Sequence, residues 1–348
     1  MASNQRTRFG NLDLLRFVAM WGVLTVHYIG WGGAASNTTT SDFNFYIAAI
    51  LGVVSQVSVN IFYLISGYFL ESNKEFCLKK TVSFYVKVLF YSVFVPFVLL
   101  LLGYISFSKN LLKSFFPVLT NQYWFATIYL FLMLLMPFLN ILFKNCTKKQ
   151  FGIFLIVIFF FDSVQPMFFH NAIAEIGYDI THAIFMVSLG HFIRRSEFSL
   201  SKIKAFLLCA ASVAIGAGIN FGWLLATGDR NRIILDYNSP FIIVASCMVF
   251  LFFLSIKQEG KGIFTKISPY VFAVYLVNDN PYMRAVVYEK ILHCSDFYYS
   301  GYFILHYVLS CLFFFVIGLL VDFLYENVAK WLKGLRIGKS NEAEEKQR

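Results

Sequence analysis

Residues 11–33 read NLDLLRFVAMWGVLTVHYIGWGG, a run long and apolar enough to cross a membrane as a helix. It nevertheless carries a cation at Arg16 and an imidazole at His27. Eleven positions separate them, close to three helical turns, so both side chains project from one face roughly 16 Å apart along the axis. A charged or titratable group at membrane depth is costly and faces a protein interior or a watery cavity. Two plainer readings stand beside this one. Arg16 is also placed to snorkel to the headgroups, and His27 to bond a neighbouring carbonyl in the core. Arg6 and Arg8 ahead of an apolar run, with Ala34-Ala35-Ser36 behind it, have the outline of a cleavable signal peptide. Arg16 sits too deep for that outline, and further spans follow.

Composition sets the class. Of 348 residues 58% are apolar, 19% aromatic and only 14% charged, with 42 Phe, which excludes an ordinary soluble domain. The expected fold is all-α: a polytopic integral membrane protein of about ten transmembrane helices with both termini cytoplasmic. Apolar runs of spanning length fall near residues 12–32, 46–70, 84–105, 124–143, 151–169, 180–193, 203–225, 240–256, 267–282 and 301–325. Residues 1–333 form the transmembrane domain in this reading, and 334–348, ending GKSNEAEEKQR, a disordered cytoplasmic tail. Six cysteines at 77, 146, 209, 247, 294 and 311 show no C-x-x-C and no metal-ligand spacing, so they read as packing residues and no metal is expected.

Loop charge tests the span count, because Lys and Arg concentrate on the cytoplasmic side. With the N-terminus inside, 23 of the 29 basic residues fall on inner segments, counting Lys87 at the inner start of the third span. The outer loops hold only Lys109, Lys113, Arg230, Arg232, Arg284 and Lys290. The net charge of +10 is thus explained by topology and attraction to membrane lipids, without nucleic acid as a partner.

Further stretches carry chemistry. Asp13, three residues before Arg16, is placed either to hold its guanidinium or to cap the helix start. In NIFYLISGYFL, residues 60–70, Ser66-Gly67 permits close approach of a ligand or of another helix, and Asn60 falls on the same face as Gly67. Tyr123 and Trp124 open the fourth span at the outer interface, as an aromatic belt or as a sugar-stacking pair. The segment from His170 to His182 holds Glu175, Asp179 and His182, with Asp179 and His182 spaced as a carboxylate-oriented imidazole would be. In SPYVFAVYLVNDNP, residues 268–281, the polar Asn278-Asp279-Asn280 cluster breaks the ninth span at a depth where only a cavity lining accommodates it.

The R-x10-H spacing of the first span, SGY at the end of the second, YWF opening the fourth and the Ser-to-Asn-Asp-Asn stretch of the ninth together resemble the membrane acyltransferase-3 family. The likeness is strongest to capsule and surface-polysaccharide O-acetyltransferases, and it runs through nearly the whole chain in order. It implies an enzyme of the bacterial inner membrane that passes an acetyl group from cytoplasmic acetyl-CoA to a hydroxyl of a surface glycan or its lipid-linked saccharide precursor. The family's arginine and histidine carry over to Arg16 and His27. Many relatives have a histidine where this chain has Asn278, and some carry a fused extracytoplasmic domain for the final transfer, whereas this chain ends at the tenth span.

Side-chain chemistry suits that implication. Arg16 offers a guanidinium fork to phosphate, with Ser66 and Gly67 beside it on the donor side. His27 is placed to act as general base on the acceptor hydroxyl or to accept the acetyl group itself. Asn60, Tyr123, Trp124, Asp179, His182, Asp279 and Asn280 are the expected acceptor contacts. A transporter or flippase for a lipid-linked glycan, using His27 as a proton relay, is the alternative, and a non-catalytic membrane sensor a third. The sequence does not specify the oligomeric state.

Overall fold

A computed structural model describes residues 9–70, 78–168, 176–228, 235–257, 260 and 262–345, with side chains described as far as Trp331. Arg6, Arg8, Lys74, Cys77, His170, Glu175, Arg230, Arg232 and Lys261 lie outside the described residues. The described chain is helical throughout, with no β-strand, the outcome that lipid imposes on a chain this apolar because a helix satisfies its backbone internally.

The helices are α1 (Gly10–Gly30), α2 (Ala34–Asn37), α3 (Phe43–Ser55), α4 (Val57–Tyr68), α5 (Leu78–Leu101), α6 (Trp124–Asn145), α7 (Lys148–Phe159) and α8 (Gln165–Phe168). They continue as α9 (Ile180–Arg195), α10 (Lys202–Thr227), α11 (Pro240–Leu254), α12 (Ile263–Ile267), α13 (Val271–Asn278), α14 (Pro281–Val286) and α15 (Phe303–Glu345). Several starts are written in the sequence. Thr147 and Gln150 form a reciprocal capping box on α7, and the side chains of Asp179, Ser201 and Asn280 accept from the first backbone N–H groups of α9, α10 and α14. The positions from 334 to 345, expected as a disordered tail, continue the backbone of α15.

Seven segments among the described residues are long and apolar enough to cross a membrane: Gly10–Asn37, Phe43–Tyr68, Leu78–Leu101, Trp124–Asn145, Lys148–Phe168, Lys202–Thr227 and Phe303–Trp331. The expected sixth, eighth and ninth spans are shorter. They are the 16-residue α9, the 15-residue α11 and the Ile263–Asn278 stretch. At 1.5 Å per residue none of these matches a hydrocarbon core of ~30 Å. Polar residues at 278–280 end the last of them, and Pro281 begins α14.

α1 lies at the centre, packed against α3, α4, α11, α13 and α15. The Phe9 and Phe69 rings lie 5.5 Å apart, Arg194 donates to the Tyr68 hydroxyl at 2.9 Å and Asn11 donates to the Phe253 carbonyl at 3.0 Å. The start of α1 and the ends of α4, α9 and α11 therefore share one face of the bundle. The end of α1, the start of α6, the start of α9 and the 278–280 break gather toward the opposite face.

Candidate active site

Arg16, Met20, Val23 and His27 recur along one face of α1 and line a cavity of about 460 Å³. α4 adds Val59, Phe62 and Ser66, α5 adds Phe84 and Lys87, α6 adds Trp124, Phe125 and Tyr129, and α13 adds Tyr275. The cation and the imidazole thus border one space, and mostly apolar walls separate them.

At one end, His27 is held on both sides. Its Nδ1 is hydrogen-bonded to Asn278 Oδ1. The Asn278 amide nitrogen donates to the Tyr288 hydroxyl at 2.8 Å, which turns the amide oxygen toward His27. The imidazole therefore donates from Nδ1, and Nε2 is left as its basic nitrogen. Asp279 Oδ1 stands 3.7 Å from Nε2 and 3.3 Å from Arg284 Nη2, and the Asp279 carbonyl accepts from Arg284 Nε at 2.9 Å. The Arg284 guanidinium lies 4.6 Å from the centre of the Trp31 ring, one turn beyond His27. A buried carboxylate beside Nε2 stabilises the charge that the ring acquires on taking up a proton.

At the other end, Arg16 donates to Asp13 Oδ1 at 2.7 Å, with Asp13 buried and the arginine side chain 30% exposed. Asp13 thus positions the guanidinium rather than capping α1, whose start receives no side-chain cap. Ser66 donates to the Phe62 carbonyl at 2.8 Å and shares a 3.0 Å hydrogen bond with Tyr129. Lys87, also on the wall, pairs with Asp322 of α15 at 2.7 Å, and Asp322 accepts from Tyr91 as well, at 2.8 Å.

Other residues singled out from the sequence go elsewhere. Gly67 does not line the cavity: a Cβ there would stand 1.9 Å from the Val187 carbonyl oxygen, so its place is the close crossing of α4 with α9. Asn60 faces away from the cavity, fully buried between His182 and the Tyr237 carbonyl. Tyr123 is fully buried rather than presented on the surface, accepting from Asn280 Nδ2 at 2.7 Å. Asp179 caps α9 through the N–H groups of Thr181 and His182 rather than orienting the His182 ring. His182 pairs instead with Asp162, Nδ1 to Oδ2 at 2.9 Å, and both are fully buried. Trp124 does line the cavity, and Asp279 meets His27 as described.

Asp162, Asp322, Lys87 and Tyr129 were missed as site or network residues. The signal for the two acids was present: each is a carboxylate inside an apolar run, the same anomaly that draws attention to Arg16. Tyr129 sits among ordinary span aromatics and carries no such mark.

No curated protein and no solved structure matches the chain. A family profile does, over residues 9–293, that is, from the first described residue through α14 and the turn after it, and its description is an acyltransferase domain. Because that match spans most of the chain and includes the R-x10-H helix with every other cavity-lining segment, the protein belongs to the acyltransferase-3 family and is a membrane acyltransferase.

Proposed function

We propose that this acyltransferase moves an acetyl group from cytoplasmic acetyl-CoA to a hydroxyl of a surface glycan or its lipid-linked precursor. The observation that carries the reading is the single cavity joining Arg16 to His27. The roughly 16 Å rise between these residues suits a pantetheine arm with its phosphates at the guanidinium and its thioester at the imidazole. In this reading α9, α11 and the α12–α13 stretch are short crossings, which brings the total to ten and puts both termini on the cytoplasmic face of a bacterial inner membrane. The excess of Lys and Arg at the Arg16 end supports that orientation.

The chemistry follows from the ring geometry. His27 Nε2 takes the proton of the acceptor hydroxyl as its oxygen attacks the thioester carbonyl carbon. The carbon–sulfur bond breaks, and the proton passes from Nε2 to the departing thiolate. Asn278 keeps Nδ1 as the donor throughout, and Asp279 stabilises the transient imidazolium.

The test uses purified protein in lipid nanodiscs with acetyl-CoA and the cell's own surface polysaccharide, stripped of O-acetyl groups by alkali. Ester formation on the polysaccharide, matched by release of CoA thiol, is the expected result. Thiol release with no ester formed would refute the glycan acceptor, and neither event would refute the donor.

A further inference from the structure

We propose that Trp124, Tyr178 and Tyr237 form the platform on which the acceptor sugar stacks, and that the buried Asp162–His182–Asn60 network holds that platform in place. The assignment of a sugar rests on the glycan acceptor proposed above.

Three separate segments bring these rings together. The Trp124 and Tyr178 ring centroids lie 4.2 Å apart, Tyr178 and Tyr237 5.1 Å, and Trp124 and Tyr237 5.9 Å in a stacked arrangement. Trp124 and Tyr237 line the cavity, whereas Tyr178 is 43% exposed, so the cluster reaches from the cavity wall to the surface. It lies at the His27 end, because Tyr123, next to Trp124, bonds Asn280, next to Asp279. A sugar ring offers apolar C–H faces and a polar hydroxyl rim, and aromatic rings with polar tips match both.

The loops carrying the two tyrosines are fixed from beneath. Gly177 has φ +78°, and a Cβ on it would stand 2.9 Å from both the Asn238 nitrogen and Tyr237 Cβ, so only glycine lets this loop close onto the other. On the far side of Tyr178, Asp179 is locked as the cap of α9. In the second loop, the Tyr237 carbonyl accepts from Asn60 Nδ2 at 2.9 Å, the Leu235 carbonyl from Gln56 at 3.0 Å, and Asn238 Nδ2 donates to the Asp162 carbonyl at 2.7 Å. Asn60 thereby turns its oxygen to His182 Nε2 at 2.8 Å, while Nδ1 meets Asp162. A π-helical turn at Phe160–Val164 aims Asp162 inward. Both His182 nitrogens are engaged, which makes His182 a positioning residue that acts through Tyr237 rather than on the substrate.

The test measures the protein in nanodiscs by two readouts: binding of de-O-acetylated surface polysaccharide followed by tryptophan fluorescence, and transfer from acetyl-CoA. Tyr178→Ala and Tyr237→Ala should each weaken polysaccharide binding and raise the polysaccharide concentration for half-maximal transfer about tenfold, with acetyl-CoA affinity unchanged. Tyr178→Phe should restore both. His182→Gln should repeat the Tyr237→Ala pattern if it folds, and the exposed Tyr178 pair decides the matter if it does not. Unchanged polysaccharide affinity in Tyr178→Ala, or equal loss of donor and polysaccharide binding, would overturn the platform. Wild-type protein that binds polysaccharide through Tyr178 but transfers nothing would keep the platform and refute the proposed reaction. Wild-type protein that binds no polysaccharide would refute the platform itself.

Discussion

The Nδ1 nitrogen of His27 is committed to Asn278, so the two residues make separable predictions. His27→Ala removes the proposed base and should lower the proposed acetyl transfer on the order of 10²- to 10⁴-fold, with membrane abundance unchanged. Asn278→Ala leaves the ring but frees its tautomer and should give a smaller loss in the same assay, seen as a lower kcat with donor affinity intact. Arg16→Ala should weaken acetyl-CoA binding, with Arg16→Lys intermediate because the planar fork is gone. Normal transfer by the His27 variant, or normal donor affinity in both Arg16 variants, would remove these roles. At this scale the sequence was legible where a residue violates its surroundings. Arg16 and His27 stand out in an apolar run, and the cavity joins them. Tyr237 and Tyr178 were not legible, because two tyrosines 59 positions apart acquire meaning only when Gly177 lets their loops meet.

Where α4 crosses α9, each helix gives up a side chain: a Cβ on Gly67 would stand 1.9 Å from the Val187 carbonyl oxygen, and one on Gly190 2.2 Å from that of Leu64. Gly67→Ala should therefore push the helices apart at a cost of about 1–3 kcal/mol, read as a lower melting temperature of the detergent-solubilised protein. Gly152→Ala in α7, where a Cβ meets nothing within 4 Å, is the control and should not lower the melting temperature, alanine being the better helix former. The SGY stretch shows why sequence alone misassigned Gly67. A glycine that admits a neighbouring helix reads the same as one that admits a ligand, and only Ser66, one position away, faces the cavity. Asp179 and Asn280 have residue types that suit helix N-termini and serve as such, yet in an apolar chain a polar residue reads equally as an acceptor contact, which is how the sequence reads on its own.

Across the whole molecule, the proposed sidedness of the bundle assigns donor and acceptor to opposite ends of the cavity. In a background lacking the six native cysteines, single cysteines at Asn121 and Tyr299 should react with an impermeant thiol reagent in intact cells, and ones at Lys148 and Lys202 should react only after lysis. The reverse pattern would invert the donor and acceptor ends. The all-helical membrane class was legible from composition together with apolar runs of helix-spanning length. The count of full-length crossings was not, because α9 is interrupted by polar residues, α11 is apolar but only 15 residues long, and the 263–278 stretch ends at a polar break. Between α5 and α15, the Lys87 pair with Asp322 predicts that Asp322→Ala costs about 3–5 kcal/mol, whereas Lys87→Met with Asp322→Leu together costs less; equal melting of the single and double variants would contradict this. That pair also bears on biogenesis. The acid emerges from the ribosome 235 residues after the lysine it neutralises. Through synthesis of every intervening helix the lysine stays uncompensated by its final partner, and the arrival of α15 removes that liability. The last described helix thus closes the bundle electrically as well as sterically, and a nascent chain halted before it would leave Lys87 without the carboxylate that neutralises it.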